Sequence, residues 1–230
     1  MSHAVEDAKR RAAERAVDFV RSETAIGLGT GSTMRYALEE LGRRLSAGTL
    51  HSVVGVPTSS QTAQLATRCG VPIIGLERGR VLALAIDGAD EIDRALNLIK
   101  GRGGALLREK IVAACAAELV IVADESKLVE TLGSTAPLPI EVIPFALPLV
   151  LDRLSTLPGR AEERHGPDAR SFRTDEGNAI IDYASGPIRD PATLDRTLLA
   201  IPGVVDHGLF LHMARRAVIA RPHDISILQA

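Results

Sequence analysis

Residues 81–110 read VLALAIDGADEIDRALNLIKGRGGALLREK, and the rest of the chain is organised around them. The apolar run 81–86 has the length and composition of a fully buried strand. Asp87, Asp90, Glu91 and Asp93 follow it directly, and Gly88 allows a sharp turn at the strand's end. Carboxylates in that position stand where an open α/β sheet places its ligand chemistry. Next comes a glycine-rich loop, Lys100-Gly101-Arg102-Gly103-Gly104, leading into a helical stretch over 105–117. Glycines there let the backbone approach a ligand closely, and the helix start behind them favours negative charge.

Within that helix, positions 105, 109, 112, 113 and 116 form one stripe, reading Ala, Glu, Val, Ala, Ala. A carboxylate on an apolar stripe must pair, shift its pKa or do chemistry. Glu109 could simply pair with Lys100 or with a neighbouring helix. With two aspartates and a lysine in the same window, a general base is the better assignment. Ala105, Val112 and Ala113 should raise its pKa by desolvation, whereas Lys100 and the helix start should lower it. The expectation is a carboxylate ionised near neutral pH yet still basic.

Upstream, a short strand over 24–28 runs into Gly29-Thr30-Gly31-Ser32-Thr33. A helix follows, with Met34, Ala37, Leu38, Leu41 and Leu45 at helical spacing. Strand, glycine loop and helix start together make an anion site from N–H groups and hydroxyls. A P-loop would need a Gly-Lys pair, and no lysine follows Gly31. A dinucleotide fingerprint would need a third glycine and an acidic residue ending the next strand. That strand, 52–56, ends in Pro57-Thr58-Ser59-Ser60 instead. A small phosphorylated ligand suits the loop better than a nucleotide. The plain alternative is that Ser32 or Thr33 caps the helix, and both roles can coexist.

Composition narrows the function classes. A net charge of −2, with 27 basic and 29 acidic residues interspersed, offers no nucleic-acid arm or membrane-facing patch. Cys69 and Cys115 form no disulfide framework, and the six histidines have no metal-ligand spacing. The N-terminus lacks an apolar signal region, and the longest apolar stretch, 111–123, is broken by Glu118. A soluble cytoplasmic protein is expected, without metal or cofactor.

The remaining elements read as follows. Residues 3–21 form a charged amphipathic helix with Ala8, Ala12, Ala16, Phe19 and Val20 on one side. Residues 61–69 are helical and 73–76 a short strand. A buried strand over 120–123 ends in Asp124-Glu125-Ser126-Lys127, putting Lys127 on the same sheet edge as Asp87 and the Thr30 loop. Prolines 137, 139, 144 and 148 then mark a domain boundary after Gly133. Strand 140–143, helix 145–157, strand 170–173, a tight turn at 175–178, strand 179–183, a helix capped by Asp190-Pro191 and strand 204–205 follow. In that last helix Leu194, Leu198 and Leu199 should face inward. The order β-α-β-β-α-β is that of a ferredoxin-like unit. Strands at 209–211 and 217–220 return to the large domain. The expected fold is α/β: a Rossmann-like, open, mostly parallel sheet over 1–132 and 206–230. A smaller ferredoxin-like α+β domain over 133–205 is inserted before the C-terminal strands.

The blocks GLGTGSTM, DGADEID and KGRGGALLREK, with PLPIEVIPFA, TDEGNAIID and IPGVVDHGLF in the same order, resemble type A ribose-5-phosphate isomerase. The resemblance runs from about residue 16 to about residue 220. The C-terminal RPHDISIL departs from the family's Asp-Gly hairpin, which bears on the local turn only. The resemblance implies an aldose–ketose isomerase of the pentose phosphate pathway, interconverting D-ribose 5-phosphate and D-ribulose 5-phosphate through an enediolate. It implies Glu109 as the base between C2 and C1, and Asp87 and Asp90 for ring opening and hydroxyl protons. Lys100, with the amides of Gly101, Arg102 and Gly103, would steady the oxyanion. Thr30, Gly31, Ser32, Thr33, Gly88 and Ala89 would hold the sugar phosphate, with Lys127 and Lys9 neutralising phosphate. It also implies a homodimer or homotetramer with no nucleic-acid or membrane partner. Two other classes share the scaffold: a sugar-phosphate sensor without turnover, and an amino-sugar deaminase or acyl-CoA transferase. A sensor would carry a DNA-binding appendage, and it gives no reason for Glu109 beside Lys100.

Overall fold

Continuous apolar runs such as LVIVA at 119–123 suit strands buried on both faces, and such runs form the centre of this molecule. The computed structural model describes residues 3–221 and 224–230. Its first half comprises α1 (His3–Val17), β1 (Ala25–Leu28), α2 (Ser32–Ser46), β2 (Val54–Pro57), α3 (Ser60–Arg68), β3 (Leu84–Asp87), β4 (Glu91–Ile92), β5 (Leu98–Ile99), α4 (Leu106–Ala114) and β6 (Leu119–Asp124). There follow β7 (Leu138–Val142), α5 (Leu147–Leu154), β8 (Arg160–Glu163), β9 (Ala179–Ala184), α6 (Pro191–Leu199), β10 (Val204–His207), β11 (Leu209–Phe210), β12 (Ala214–Ala220) and β13 (Ile225–Gln229).

The main sheet runs β13-β12-β6-β3-β1-β2. All its pairings are parallel except that of β12 with β13. Counting only the parallel strands, the order is 2-1-3-4-5, so the chain reverses direction across the sheet between β1 and β3. That crevice is where doubly wound sheets bind ligands. On one face α1 and α2 bury Ala12, Ala16, Leu38 and Leu41 against Ile26, Ile86 and Val122. On the other, Val112 and Ala113 of α4 pack with Ala85, Ile121 and Phe210. A small antiparallel sheet, β11-β5-β4, completes that side.

The second large sheet is antiparallel, ordered β10-β7-β9-β8, which is the ferredoxin-like arrangement expected from the element order. Asp190 caps α6 by accepting from the Thr193 N–H at 2.9 Å, with Pro191 in the first turn, as its sequence predicts.

Several expected boundaries move. Val81 is 72% exposed and lies outside the strand, which starts at Leu84; Leu82 makes only a single bridge, to Ala116. Residues 73–76 form no strand beyond the bridge of Ile73 with Gly55. Residues 170–173 likewise make only the bridge of Ser171 with His165. The strand paired with β9 is instead β8, whose sequence RAEE has no apolar alternation because neither face is fully covered. The helix expected over 145–157 splits into a 3₁₀ turn at Pro144–Ala146 and α5, leaving Phe145 out in solvent. Leu199, expected inward, is half exposed, while Leu198 is buried. The turn expected within RPHDISIL includes positions 222 and 223, outside the described residues.

Candidate active site

The C-terminal ends of β1, β3 and β6 and the loop before α4 enclose a cavity of about 350 Å³. Lys9, Thr30, Gly31, Ser32, Thr33, Gly88, Ala89, Asp90, Lys100, Gly101, Arg102, Gly103, Glu109 and Lys127 all line it, with Met34, Val122, Ala123 and Asp124. Every residue given a catalytic or binding role from the sequence reaches this wall except Asp87.

Asp87 lies beneath the floor. It ends β3, is 3% exposed, and both of its oxygens are engaged within the protein. Its Oδ1 accepts from the N–H groups of Gly88 (2.7 Å) and Thr30 (3.1 Å), and its Oδ2 stands 2.9 Å from Lys100 Nζ. Gly29 makes this approach possible, since a Cβ there would lie 2.1 Å from Asp87 Oδ1.

Lys100 is the hub. Its ammonium donates to the Gly88 carbonyl at 2.6 Å, pairs with Asp87, and stands 3.3 Å from Glu109 Oε2. The Phe210 ring lies 5.4 Å from it. Burial alone would lower its pKa, but the carboxylates of Asp87 and Glu109 override this and raise it, so the lysine stays charged. Glu109, in the first turn of α4, is ion-paired by distance, yet its Oε2 is off-axis and has no hydrogen bond. Burial pushes the carboxyl up to about 8; Lys100 opposes the shift and the charge of Asp87 adds to it. Of the two opposing influences expected on Glu109, desolvation outweighs the pull of Lys100. Burial raises Asp87 as well, against the pull of Lys100 and of its hydrogen bonds.

Asp90 sits on the cavity wall, its Oδ2 accepting from the Arg102 N–H at 3.0 Å. Asp93 and Glu91 serve the fold instead. Asp93 accepts from the N–H groups of Ala95 and Asn97 and from the Asn97 amide. Glu91 is fully buried and accepts from Gly133, Thr135 and Ala136, joining the central window to the chain leading into β7. An oxygen cage of Asp87, Asp90 and Asp93 is not assembled, because Asp93 is committed to its own turn.

Two further lysines and a helix start also line the cavity. Helix α2 has Gly31 at its N-cap with no side-chain cap, so neither Ser32 nor Thr33 closes it. Its first-turn N–H groups lack intrahelical acceptors and border the cavity. Lys127, on a 3₁₀ turn after β6, and Lys9, from α1, flank it. Lys9 is buried and within 3.4 Å of Glu6; Lys127 has no ion-pair partner among the described residues.

Thr30 lines the cavity, and its polar groups are also engaged within the protein. Its hydroxyl is within 2.8–3.0 Å of those of Thr58, Ser59 and Thr62, and its N–H serves Asp87. Its polar groups brace the loop. Thr58, Ser59 and Thr62 support the loop from outside the cavity wall, a role that only Pro57-Thr58-Ser59-Ser60 at a strand end hinted at in the sequence. His207 is fully buried, accepts from the Leu209 N–H, and is held neutral by burial and Lys110, its pKa falling to about 4.

Comparison with known proteins follows the same lines. The family model of ribose 5-phosphate isomerase A (phosphoriboisomerase A) matches residues 54–224. A ribose-5-phosphate isomerase A of Roseiflexus castenholzii is 56% identical over 221 residues, covering 96% of this chain and 94% of that protein. Among solved structures, a D-ribose-5-phosphate isomerase in complex with phospho-erythronic acid superposes with a TM-score of 0.96 at 40% identity, covering 100% of both chains. The ribose 5-phosphate isomerase A of Methanocaldococcus jannaschii gives 0.92 at 40% identity, over 98% of this chain and 99% of that one. Identity above one half along nearly the whole length leaves one reading: this chain belongs to the ribose 5-phosphate isomerase A family.

Proposed function

We propose that this chain interconverts D-ribose 5-phosphate and D-ribulose 5-phosphate through an enediolate, as a step of the pentose phosphate pathway, with Glu109 as the proton-transfer base. The observation that carries this is the buried Glu109 carboxylate, off hydrogen bond and beside a charged Lys100, at the wall of a cavity that two further lysines and a helix start also line. Catalytic bases act best when their pKa lies near the operating pH, and about 8 meets that condition.

The sugar phosphate lies with its phosphate against Lys127, Lys9 and the open N-terminus of α2. Asp90 exchanges protons with the sugar hydroxyls, opening the furanose ring and moving a proton between O2 and O1. Glu109 removes the C2 proton and returns it to C1. Lys100, whose ammonium stays charged, stabilises the oxygen on which negative charge develops, together with the amides of Gly101, Arg102 and Gly103. Asp87 enters this chemistry through Lys100, whose position it sets. The phospho-erythronic acid of the solved relative is a phosphorylated sugar acid, in keeping with that ligand class.

The chain divides as 1–132 with 206–230 for catalysis and 133–205 as a smaller unit. It acts in the cytoplasm as a homodimer or homotetramer. Ile143, Phe145, Leu149 and Leu199, all exposed on the smaller unit, support self-association. Light scattering distinguishes the two assemblies, and a monodisperse monomer would rule out both. Ketose formation from ribose 5-phosphate by the purified chain tests the activity; no turnover with folded protein would overturn it.

A further inference from the structure

The glycine-rich loop is gripped from the antiparallel sheet by a side chain that the proposed mechanism leaves unused. Arg164 directly follows β8, and its N–H donates to the Ile180 carbonyl of β9 at 2.8 Å. Its Nη1 donates to the carbonyl oxygens of Gly101 and Arg102, each at 3.0 Å. On its other side, Nε donates to Asp182 Oδ2 at 2.8 Å, and Nη2 donates to Oδ1. A bidentate carboxylate fixes the plane of a guanidinium. The Arg164 side chain is only 14% exposed, and the Phe172 ring lies 5.8 Å from its guanidinium.

The Gly101 carbonyl and the Arg102 N–H belong to one peptide unit. The carbonyl receives Arg164, while the N–H donates to Asp90 Oδ2 at 3.0 Å. Gly101 has φ +100°, a region in which the backbone of glycine meets little steric resistance. The same carbonyl closes a local turn, accepting from the Gly104 N–H at 2.9 Å, so Arg164 is the second of its two donors. Leu106 packs on Gly101 from one side, whereas Arg102 is exposed. A second cavity, of about 290 Å³, lies on the far side, bordered by Asp90, Arg102, Arg164 and Asp182. Asp90 and Arg102 thus stand between two open spaces, held by hydrogen bonds. A cation on the carbonyl also polarises the peptide and strengthens its N–H as a donor.

We propose that Arg164, clamped by Asp182, is a positioning residue that orients the Gly101–Arg102 peptide so that its N–H holds Asp90 in place for the reaction. The inference rests on the reading of Asp90 as the group that exchanges the sugar's hydroxyl protons. Without Arg164 the carbonyl keeps only the Gly104 N–H, the Arg102 N–H is aimed less firmly at Asp90, and proton exchange slows. The phosphate end of the cavity is untouched.

The test is steady-state turnover of ribose 5-phosphate by the full chain and by Arg164→Met, Arg164→Lys, Asp182→Asn and the Arg164→Met/Asp182→Asn double variant. Wild-type turnover is measured first, since its absence would count against the isomerase reading rather than against Arg164. With an active wild type, Arg164→Met should lower kcat by about 10–100-fold while KM changes little. Arg164→Lys, which retains the charge, should recover part of the loss. Asp182→Asn should lose less, and the double variant no more than Arg164→Met, because the two residues act as one unit. A purely structural arginine would lower the melting temperature and leave kcat per folded subunit unchanged. The proposal is overturned if folded Arg164→Met keeps kcat within about twofold of wild type, or if the loss falls on KM alone. Should Arg164→Met not fold, Asp182→Asn carries the test, and an unchanged kcat there overturns it.

Discussion

Lys100 Nζ stands 2.9 Å from Asp87 Oδ2, and both side chains are almost wholly buried. This pair is the base of the site. It consumes one carboxylate to keep the lysine charged, and leaves Glu109 as the second carboxylate, short of a hydrogen bond of its own. Burying an ion pair is costly unless hydrogen bonds satisfy both partners, and here the N–H groups of Thr30 and Gly88 and the Gly88 carbonyl do so.

Replacing Glu109 by Gln keeps the side chain's shape but removes its ability to take a proton. Turnover should fall by about 10²–10⁴-fold, while ribose 5-phosphate still binds. In deuterated water the wild type should introduce deuterium at C1 of the ketose, and Glu109→Gln should lose exchange and isomerisation together. Near-normal turnover in this variant would place the base elsewhere, with Asp90 the next candidate.

The pH profile follows from the upward shift of Glu109. A base must be ionised to act, so kcat/KM should still be rising between pH 7 and about 8. A profile already flat from pH 6 would contradict this. The same shift has a stability consequence. Between the ordinary value of 4.5 and about 8 the folded state binds more protons than the unfolded state, so this group lowers stability as pH rises through that window. Glu109→Gln should therefore melt a few °C above wild type at about pH 9, and the gain should shrink toward pH 4.

Gly29→Ala tests the close approach under the floor. The added Cβ would meet Asp87 at 2.1–2.6 Å, including its backbone Cα, so Asp87 and Lys100 must move. Misplacement of about 1 Å can cost on the order of 10²-fold in rate, and a loss of that size in kcat is expected. Full activity in Gly29→Ala would mean that the floor adapts freely.

Lys127→Ala should act on binding. Removing a cation from a charge-assisted phosphate contact should raise KM by about 10-fold or more, with a smaller change in kcat. The loss should shrink only weakly as ionic strength rises, because a partly enclosed pair is screened less than an open one. An unchanged KM would leave Lys127 as a solvated surface charge.

Exhaustive chelation should leave turnover unchanged, since Lys100 and backbone amides are assigned the oxyanion. A loss restored by added divalent metal would overturn that assignment.

Much of this site was legible before any folding. Asp87, Asp90, Lys100 and Glu109 fall within one window of the sequence, and strand-end carboxylates, a glycine loop and a misplaced glutamate on an apolar stripe are local patterns. The helices and the strands of the parallel sheet were likewise encoded in hydrophobic period and turn residues. Tertiary structure decided what has no local signature. It put Asp87 beneath the cavity rather than on its wall, turned the Thr30 hydroxyl toward Thr58, Ser59 and Thr62, and left Gly31 as an open cap. It also brought Arg164 onto a loop more than sixty residues earlier in the chain, and built β8 from the polar run RAEE. The upward shift of the Glu109 pKa belongs to the same group. It depends on how completely the packed chain excludes water and on how far two carboxylates stand from one lysine, and neither distance nor dielectric is written in residue spacing.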